Sequence, residues 1–161
     1  LVEDCFFTGH AESGGKVGGI TGKTRGKVAL RRCYSSVDVT AGQGVAAGMV
    51  AKVCGDLTVE HSYINGNVTG DVASGVFAMR RDESARVTLS NVIVSSKAIN
   101  GATKAYAIGE FASSDKAKDV NHANTTHLNN RPTEDGIRSS QIRSALLRWP
   151  RTWFRQDKYL Q

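Results

Sequence analysis

The sequence has few of the residues that cross-link, bend or interrupt a chain. Among 161 residues there are two prolines and three cysteines, and only 7% of the residues are aromatic. An odd cysteine count without a CxxC pair argues against a disulfide framework or a zinc site. There is no apolar run of about 18 residues, so no transmembrane helix is expected. The hydrophobic residues, 40% of the chain, must build a core mainly from aliphatic side chains.

Motifs for catalysis and for cofactor binding are also missing. The segment Val17–Thr24 resembles a phosphate-binding P-loop, but Val17 stands where that motif requires glycine. His122 and His127 are five residues apart, whereas two metal ligands on one helix face are four apart, and no HExxH motif occurs. No Gly-x-Ser-x-Gly motif marks a hydrolase nucleophile. We therefore predict no catalytic residue, no metal site and no cofactor.

The charge is unbalanced towards base. The formal net charge is +6 and the pI is near 9.4, a balance compatible with nucleic acid, an acidic polysaccharide or an anionic surface. Much of the base lies near the end of the sequence, at Arg138, Arg143, Arg148, Arg151, Arg155 and Lys158. A solvated cationic face explains this distribution better, so neither nucleic acid nor a membrane is the expected partner.

The feature that the sequence does have is a repeat. Four segments align from Val2, Leu30, Val59 and Leu89, at intervals of 28, 29 and 30 residues. Near-constant spacing of this kind indicates stacked coils that bury one continuous core, with neighbouring strands about 4.8 Å apart. Two further columns are small or apolar, and large: Cys5, Cys33, Ser62 and Val92, then Phe6, Tyr34, Tyr63 and Ile93. We predict that Leu30 and Val59 are buried in one column and that the aromatic ladder belongs to the core.

Two polar columns of the repeat are expected to face outward. One reads Glu3, Arg31, Glu60 and Ser90, and the next reads Asp4, Arg32, His61 and Asn91. Opposite charges on neighbouring strands attract, so Arg31 is predicted to lie between Glu3 and Glu60. This favours ion pairs over a pair of catalytic carboxylates. The predicted binding residues are outward ones beside the strands: Arg31, Arg32, Glu60, His61 and Asn65.

A second strand is predicted in each coil, where small residues flank one large apolar residue. These stretches begin at Gly18, Ala47, Ser74 and Tyr106. Glycine permits tight corners where a coil changes face. Turn-rich stretches such as residues 13–16 and 100–103 are expected to separate the two strands.

One stretch resembles a known repeat family. Cys-Tyr-Ser-Ser-Val-Asp-Val-Thr from Cys33, followed by Gly-Met-Val-Ala, is similar to the GLUG-type repeat, Asn-Cys-Tyr-Ser-Thr-Gly-Asn-Val and then Gly-Gly-Leu-Val-Gly. The resemblance covers about residues 1–111. That repeat occurs in large bacterial surface and secreted proteins, including adhesins and IgA-protease-like metallopeptidases. It implies a secreted or cell-surface location and brings no catalytic residue to this chain.

The two ends of the sequence differ. Leu1–Asp4 carry acid where a signal peptide carries base and resemble the middle of a repeat, so a processed piece of a longer chain is expected. Residues 115–161 are predicted to form an irregular last coil and a C-terminal cap. Ile142, Leu146 and Trp149 would share one helix face that covers the end of the solenoid. The alternative is a cationic amphipathic helix for an anionic membrane or an acidic partner.

Together these patterns predict an all-β protein. Residues 1–114 would form a right-handed parallel β-helix, or β-solenoid, of about four coils, followed by a short C-terminal helical cap. The expected function is a non-enzymatic structural or adhesive binding module of a secreted or surface bacterial protein. Its partner would be a glycan, a protein or its own copies. The alternative is a polysaccharide-acting β-helix enzyme, which needs clustered acids along one groove, or a non-catalytic segment of a secreted peptidase.

Overall fold

The computed structural model describes residues 1–81, 84–109, 120–123 and 126–127. Within these residues every regular element is a β-strand; no helix occurs there, hence none long and apolar enough to cross a membrane. The strands in chain order are β1 (Val2–Glu3), β2 (Phe6–Ser13), β3 (Lys16–Gly18), β4 (Thr21–Arg25), β5 (Val28–Arg31), β6 (Tyr34–Ala47), β7 (Val50–Cys54), β8 (Leu57–Glu60), β9 (Tyr63–Ile64), β10 (Val68–Ser74), β11 (Phe77–Arg80), β12 (Val87–Ser90), β13 (Ile93–Val94), β14 (Ile99–Tyr106), β15 (Val120–Ala123) and β16 (Thr126–His127). The predicted cap helix around Ile142, Leu146 and Trp149 lies outside the described residues.

The strands form three parallel sheets stacked as a β-solenoid of about four turns, which confirms the predicted fold class. Sheet A has the order β1-β5-β8-β12-β15, and sheet C has the order β11-β7-β4. Sheet B joins the remaining strands, with β6 at its centre. Because each strand pairs with its equivalent in the next coil, identical positions of the repeat become neighbours in space.

The predicted register is confirmed. Leu30 pairs with Val2 on one side and with Val59 on the other, and Val59 pairs with Leu89. Leu30 is 1% exposed and Val59 is fully buried. The column of Cys33 and Ser62 is buried as well. The aliphatic positions that recur in the sequence therefore form the continuous core of the solenoid.

The prediction of two strands in each coil is wrong, because the coils contribute to three sheets. Chain segments from β2 to β3, and the long strand β6, form sheet B before the coil turns into sheet C. Residues 13–16 do contain a break between β2 and β3, whereas residues 100–103 belong to the strand β14. That strand absorbs its extra residues as an irregularity in the register after Gly70 of the neighbouring strand.

Glycines form the corner between sheets B and C. A Cβ atom on Gly19 would lie 2.2 Å from the carbonyl oxygen of Gly48, and one on Gly48 would lie 2.2 Å from that of Gly75. Real Cβ atoms do not approach so closely, so successive coils can stack here only without a side chain. This close approach fixes where each sheet C strand begins.

Two apolar clusters hold the coils together. The larger cluster lies among the three sheets and includes Leu30, Val53, Val59, Phe77 and Leu89. The smaller one lies along sheet B and consists of Val17, Val37, Val39, Ala41, Ala46, Val68 and Ala73. Side chains on the other faces of sheets A and C are left for solvent or for partners.

Candidate anion-binding site

The predicted binding residues surround the corner at which sheet A passes into sheet B. At this corner one residue of each coil has a left-handed backbone, with φ between 48° and 53°: Asp4, Arg32, His61 and Asn91. Asp and Asn adopt this conformation more readily than other non-glycine residues, whereas Arg and His rarely do. Sequence reasoning placed this column on the surface but did not anticipate its backbone.

Ion pairs neutralise the charges at this corner. Arg31 Nε lies 2.9 Å from Glu60 Oε2, and Arg31 aligns with Glu3 and Glu60 in the neighbouring strands, as predicted. Arg32 holds two acids, with Nη2 2.8 Å from Glu3 Oε1 and Nε 2.6 Å from Asp4 Oδ1. We call these five residues, Glu3, Asp4, Arg31, Arg32 and Glu60, the charged corner.

Hydrogen bonding with Arg32 lowers the pKa of the Asp4 carboxyl below its ordinary value of 3.8. The second contact of that pair, from Arg32 Nη2 to Asp4 Oδ2, is 2.9 Å long and makes the interaction bidentate. The three carboxylates are thus held as ions by arginine, which suits a structural role. A glycosidase acid needs the opposite environment, one that raises its pKa.

The other two predicted binding residues make local contacts. His61 Nε2 accepts a hydrogen bond from Asn91 Nδ2 at 3.1 Å, one coil further along. Asn65 lies beyond β9 and hydrogen-bonds with the hydroxyls of Tyr34 and Tyr63, while its Oδ1 atom has no hydrogen-bond partner within the described residues. The structure therefore places Arg31, Arg32, Glu60 and His61 around one corner and puts Asn65 elsewhere.

The aromatic ladder belongs to the core, as predicted. The rings of Phe6 and Tyr34 stack at 4.6 Å, and those of Tyr34 and Tyr63 stack at 5.1 Å. Tyr34 is 2% exposed and Tyr63 is 4% exposed, so neither ring offers a face to a sugar. Burial raises the pKa of Tyr34 to about 12 and raises the pKa of Tyr63 as well. Burial likewise raises the pKa of the Cys33 thiol, which favours its protonated, unreactive form.

A different set of polar residues lies on the outer face of sheet C. Thr24, Val53 and Arg80 point inward and are buried, so the residues on either side of them point outward. The outward residues make two columns across three coils. In one column Lys23 pairs with Lys52 and Lys52 pairs with Met79, and in the other Arg25 pairs with Cys54. Arg81 continues the second column, because its backbone N–H donates to the carbonyl of Val53.

These outward residues enclose a groove of about 510 Å³. We call it the basic groove, and it is lined by Lys23, Arg25, Lys52, Cys54 and Arg81. Lys23, Arg25 and Arg81 are exposed, whereas Lys52 and Cys54 are half-buried. Four cationic side chains from three successive coils therefore face one surface around a small neutral thiol.

Within the described residues, the cations Lys23, Arg25 and Lys52 form no ion pair with a carboxylate. The nearest acid along the chain is Asp56, in the turn that leaves sheet C, where its neighbours in the adjacent coils are Lys27 and Arg86. Asp82 and Glu83 follow Arg81 and lie outside the described residues. Because like charges opposite one another destabilise a sheet, the Lys23–Lys52 pair is unfavourable unless an anion lies against it.

Sequence reasoning missed the basic groove, although a signal for it exists. Lys23 and Lys52 are 29 residues apart, as are Arg25 and Cys54, and Arg81 follows Cys54 by 27 residues. These intervals match the period of the repeat. The stretch containing Lys23 was considered only as a failed P-loop, whereas it forms the strand β4 of a solenoid sheet.

Comparisons with known proteins give this chain no family. No protein-family model matches it, and no curated protein or solved structure matches it either. Its function has to be inferred from the charges, register and side chains described above.

Proposed function

We propose that this chain is a non-enzymatic structural and adhesive binding module that holds an anionic partner in its basic groove. The observation that carries the proposal is the row of cations on sheet C, with Lys23 aligned against Lys52 and flanked by Arg25 and Arg81. Clustered cations attract polyanions and raise their local concentration. The stacked strands hold these cations at fixed spacing, so little ordering is needed when a ligand binds.

The resemblance to GLUG-type repeats supports a setting for this function. Such repeats occur in bacterial surface and secreted proteins, adhesins among them, and a rigid stack of coils is suited to presenting a binding face. We therefore place the module in a secreted or surface bacterial protein. The charged corner would stabilise the stack rather than bind the partner, because a ligand there would have to displace the ion pairs of Arg31 and Arg32.

Retention on an immobilised polyanion tests this proposal. Binding to dextran sulfate should weaken when Lys23→Gln and Lys52→Gln are combined, and the protein should elute at clearly lower salt because fewer counterions are released. The matched control combines Lys16→Gln with Lys104→Gln, which removes the same charge from exposed positions on sheet B. Equal shifts for both double variants would mean that net charge alone drives retention, and the proposal would be wrong.

A further inference from the structure

The spacing and the chemistry of the basic groove suggest what kind of polyanion fits it. We infer that its ligand is a uronic-acid polysaccharide, a chain with one carboxylate on each sugar, that lies across the coils along the solenoid axis. This inference rests on the proposed function, since it specifies the ligand of the same groove.

The first argument is the period of the cations. Equivalent residues in adjacent coils are about 4.8 Å apart, so Lys23 and Lys52 present ammonium groups at roughly that interval. Arg25 and Arg81 are two coils apart, or roughly 10 Å, in a column that lies about 7 Å from the first along the strands. An extended pyranose chain advances by a distance of the order of one coil for each sugar. A carboxylate on every sugar would therefore meet a cation at successive coils.

The second argument is the direction of the groove. The four cations occupy three coils and two columns, and none of the lining positions gathers them around a single point. A lone phosphate or sulfate could contact only part of this set. A chain that crosses the coils can contact Lys23, Lys52 and Arg81 in turn, with the arginines available for bidentate contacts with carboxylates.

The third argument separates a polysaccharide from a nucleic acid. Proteins that bind single-stranded nucleic acid combine cations with aromatic rings on which bases stack. The lining of the basic groove contains no ring, and the neighbouring residue of its first column is Met79. Of the nearby aromatic residues, Phe77 is fully buried. A surface that presents charge without stacking faces suits an anionic sugar chain.

Cys54 completes the fit of the groove. It occupies the middle position of the column between Arg25 and Arg81, and it is half-buried. A small, uncharged side chain at this position leaves space between the two arginines, through which a sugar ring can pass. A larger residue here should obstruct the ligand without changing the charge of the groove.

Titration with oligogalacturonates of one to six residues tests the inference, with dissociation constants measured by calorimetry on the full chain. We expect affinity to rise at least about tenfold from the monosaccharide to the trisaccharide and then to level off, because three coils carry the cations. Methyl esterification of the carboxylates should abolish binding. Cys54→Leu should weaken trisaccharide binding while leaving the melting temperature close to that of the parent chain, and Cys54→Ser should bind normally.

Three outcomes would overturn the inference. One is an affinity for the monosaccharide equal to that for the trisaccharide, and another is undiminished binding of the methyl ester. The third is tighter binding of an oligothymidylate with the same number of charges. If dextran sulfate still distinguishes the Lys23→Gln and Lys52→Gln double variant from its control, these results remove only the uronate ligand and leave the proposed anion-binding function in place. If it does not, the proposed function fails first.

Discussion

The charged corner and the basic groove are built by the same stacking of coils, yet their charges are arranged in opposite ways. At the charged corner the sign alternates along the column, and Glu3, Arg31 and Glu60 are neighbours in successive strands. In the basic groove Lys23 stands against Lys52, and no described carboxylate pairs with either. Register turns a charge pattern into either mutual stabilisation or mutual repulsion. The repelling column is the one that gains most from an external anion.

The largest expected effect breaks both regions together. Leu30→Asp places an unpaired charge in the buried column beneath the charged corner, which should cost about 3–5 kcal/mol, a large part of a typical total stability. Because the same core cluster contains Val53 beneath the basic groove, polyanion binding should be lost as well. Thermal unfolding followed by circular dichroism, with Leu30→Ile as the conservative control, measures this. A folded Leu30→Asp protein with an unshifted transition would refute the register.

A smaller effect should fall on the groove side of the molecule. Gly48→Ala introduces a Cβ atom 2.2 Å from the carbonyl oxygen of Gly75, at the corner where sheet C begins, and should cost about 1–3 kcal/mol. Gly42→Ala is the matched control, because nothing lies within 4 Å of its added Cβ. Urea unfolding of the two variants compares them. Equal stabilities would show that the stacked glycine corner does not hold the coils at this distance.

The smallest effect concerns the charged corner alone. The folded-state pKa of Asp4 is lowered, so its contact with Arg32 stabilises the protein above the ordinary pKa of 3.8 and is lost as the pH falls through the folded-state value. Asp4→Asn should therefore reduce the slope of stability against pH below about pH 4. It should leave polyanion binding at pH 7 unchanged. Unfolding measured between pH 2 and pH 7 decides this, and an unaltered acid slope would mean that the pair does not act on stability.

Much of the scaffold could be predicted because a solenoid repeats its physical requirements. Residues such as Leu30 and Val59 had to be aliphatic in every coil, so the register was visible in the spacing alone. The left-handed corner was not predictable in this way, because Arg32 and His61 are not residue types that favour it. Neither was the third sheet, whose strands begin at a corner of small residues that can be read equally well as one flanked strand.

The candidate site was harder to predict than the scaffold. The residues proposed for binding from the sequence, such as Arg31 and Glu60, turned out to satisfy one another. Cations in one segment look like an ordinary solvated face until the register brings the equivalent cations of other coils beside them. Lys23 and Lys52 became a site only when the coils were stacked.

The most direct measurement is the effect of reversing one charge in each region on both stability and binding. Lys23→Glu should leave the protein as stable or raise its stability by up to about 1 kcal/mol, because it relieves a like-charge contact, and it should sharply weaken dextran sulfate binding. Arg31→Glu changes the net charge equally but should lower stability by a similar amount and spare binding, because it places an acid between Glu3 and Glu60. Opposite signs in stability, with binding lost only in Lys23→Glu, are the predicted result. Changes of the same sign, or a loss of binding in Arg31→Glu alone, would contradict the assignment of the basic groove as the binding site.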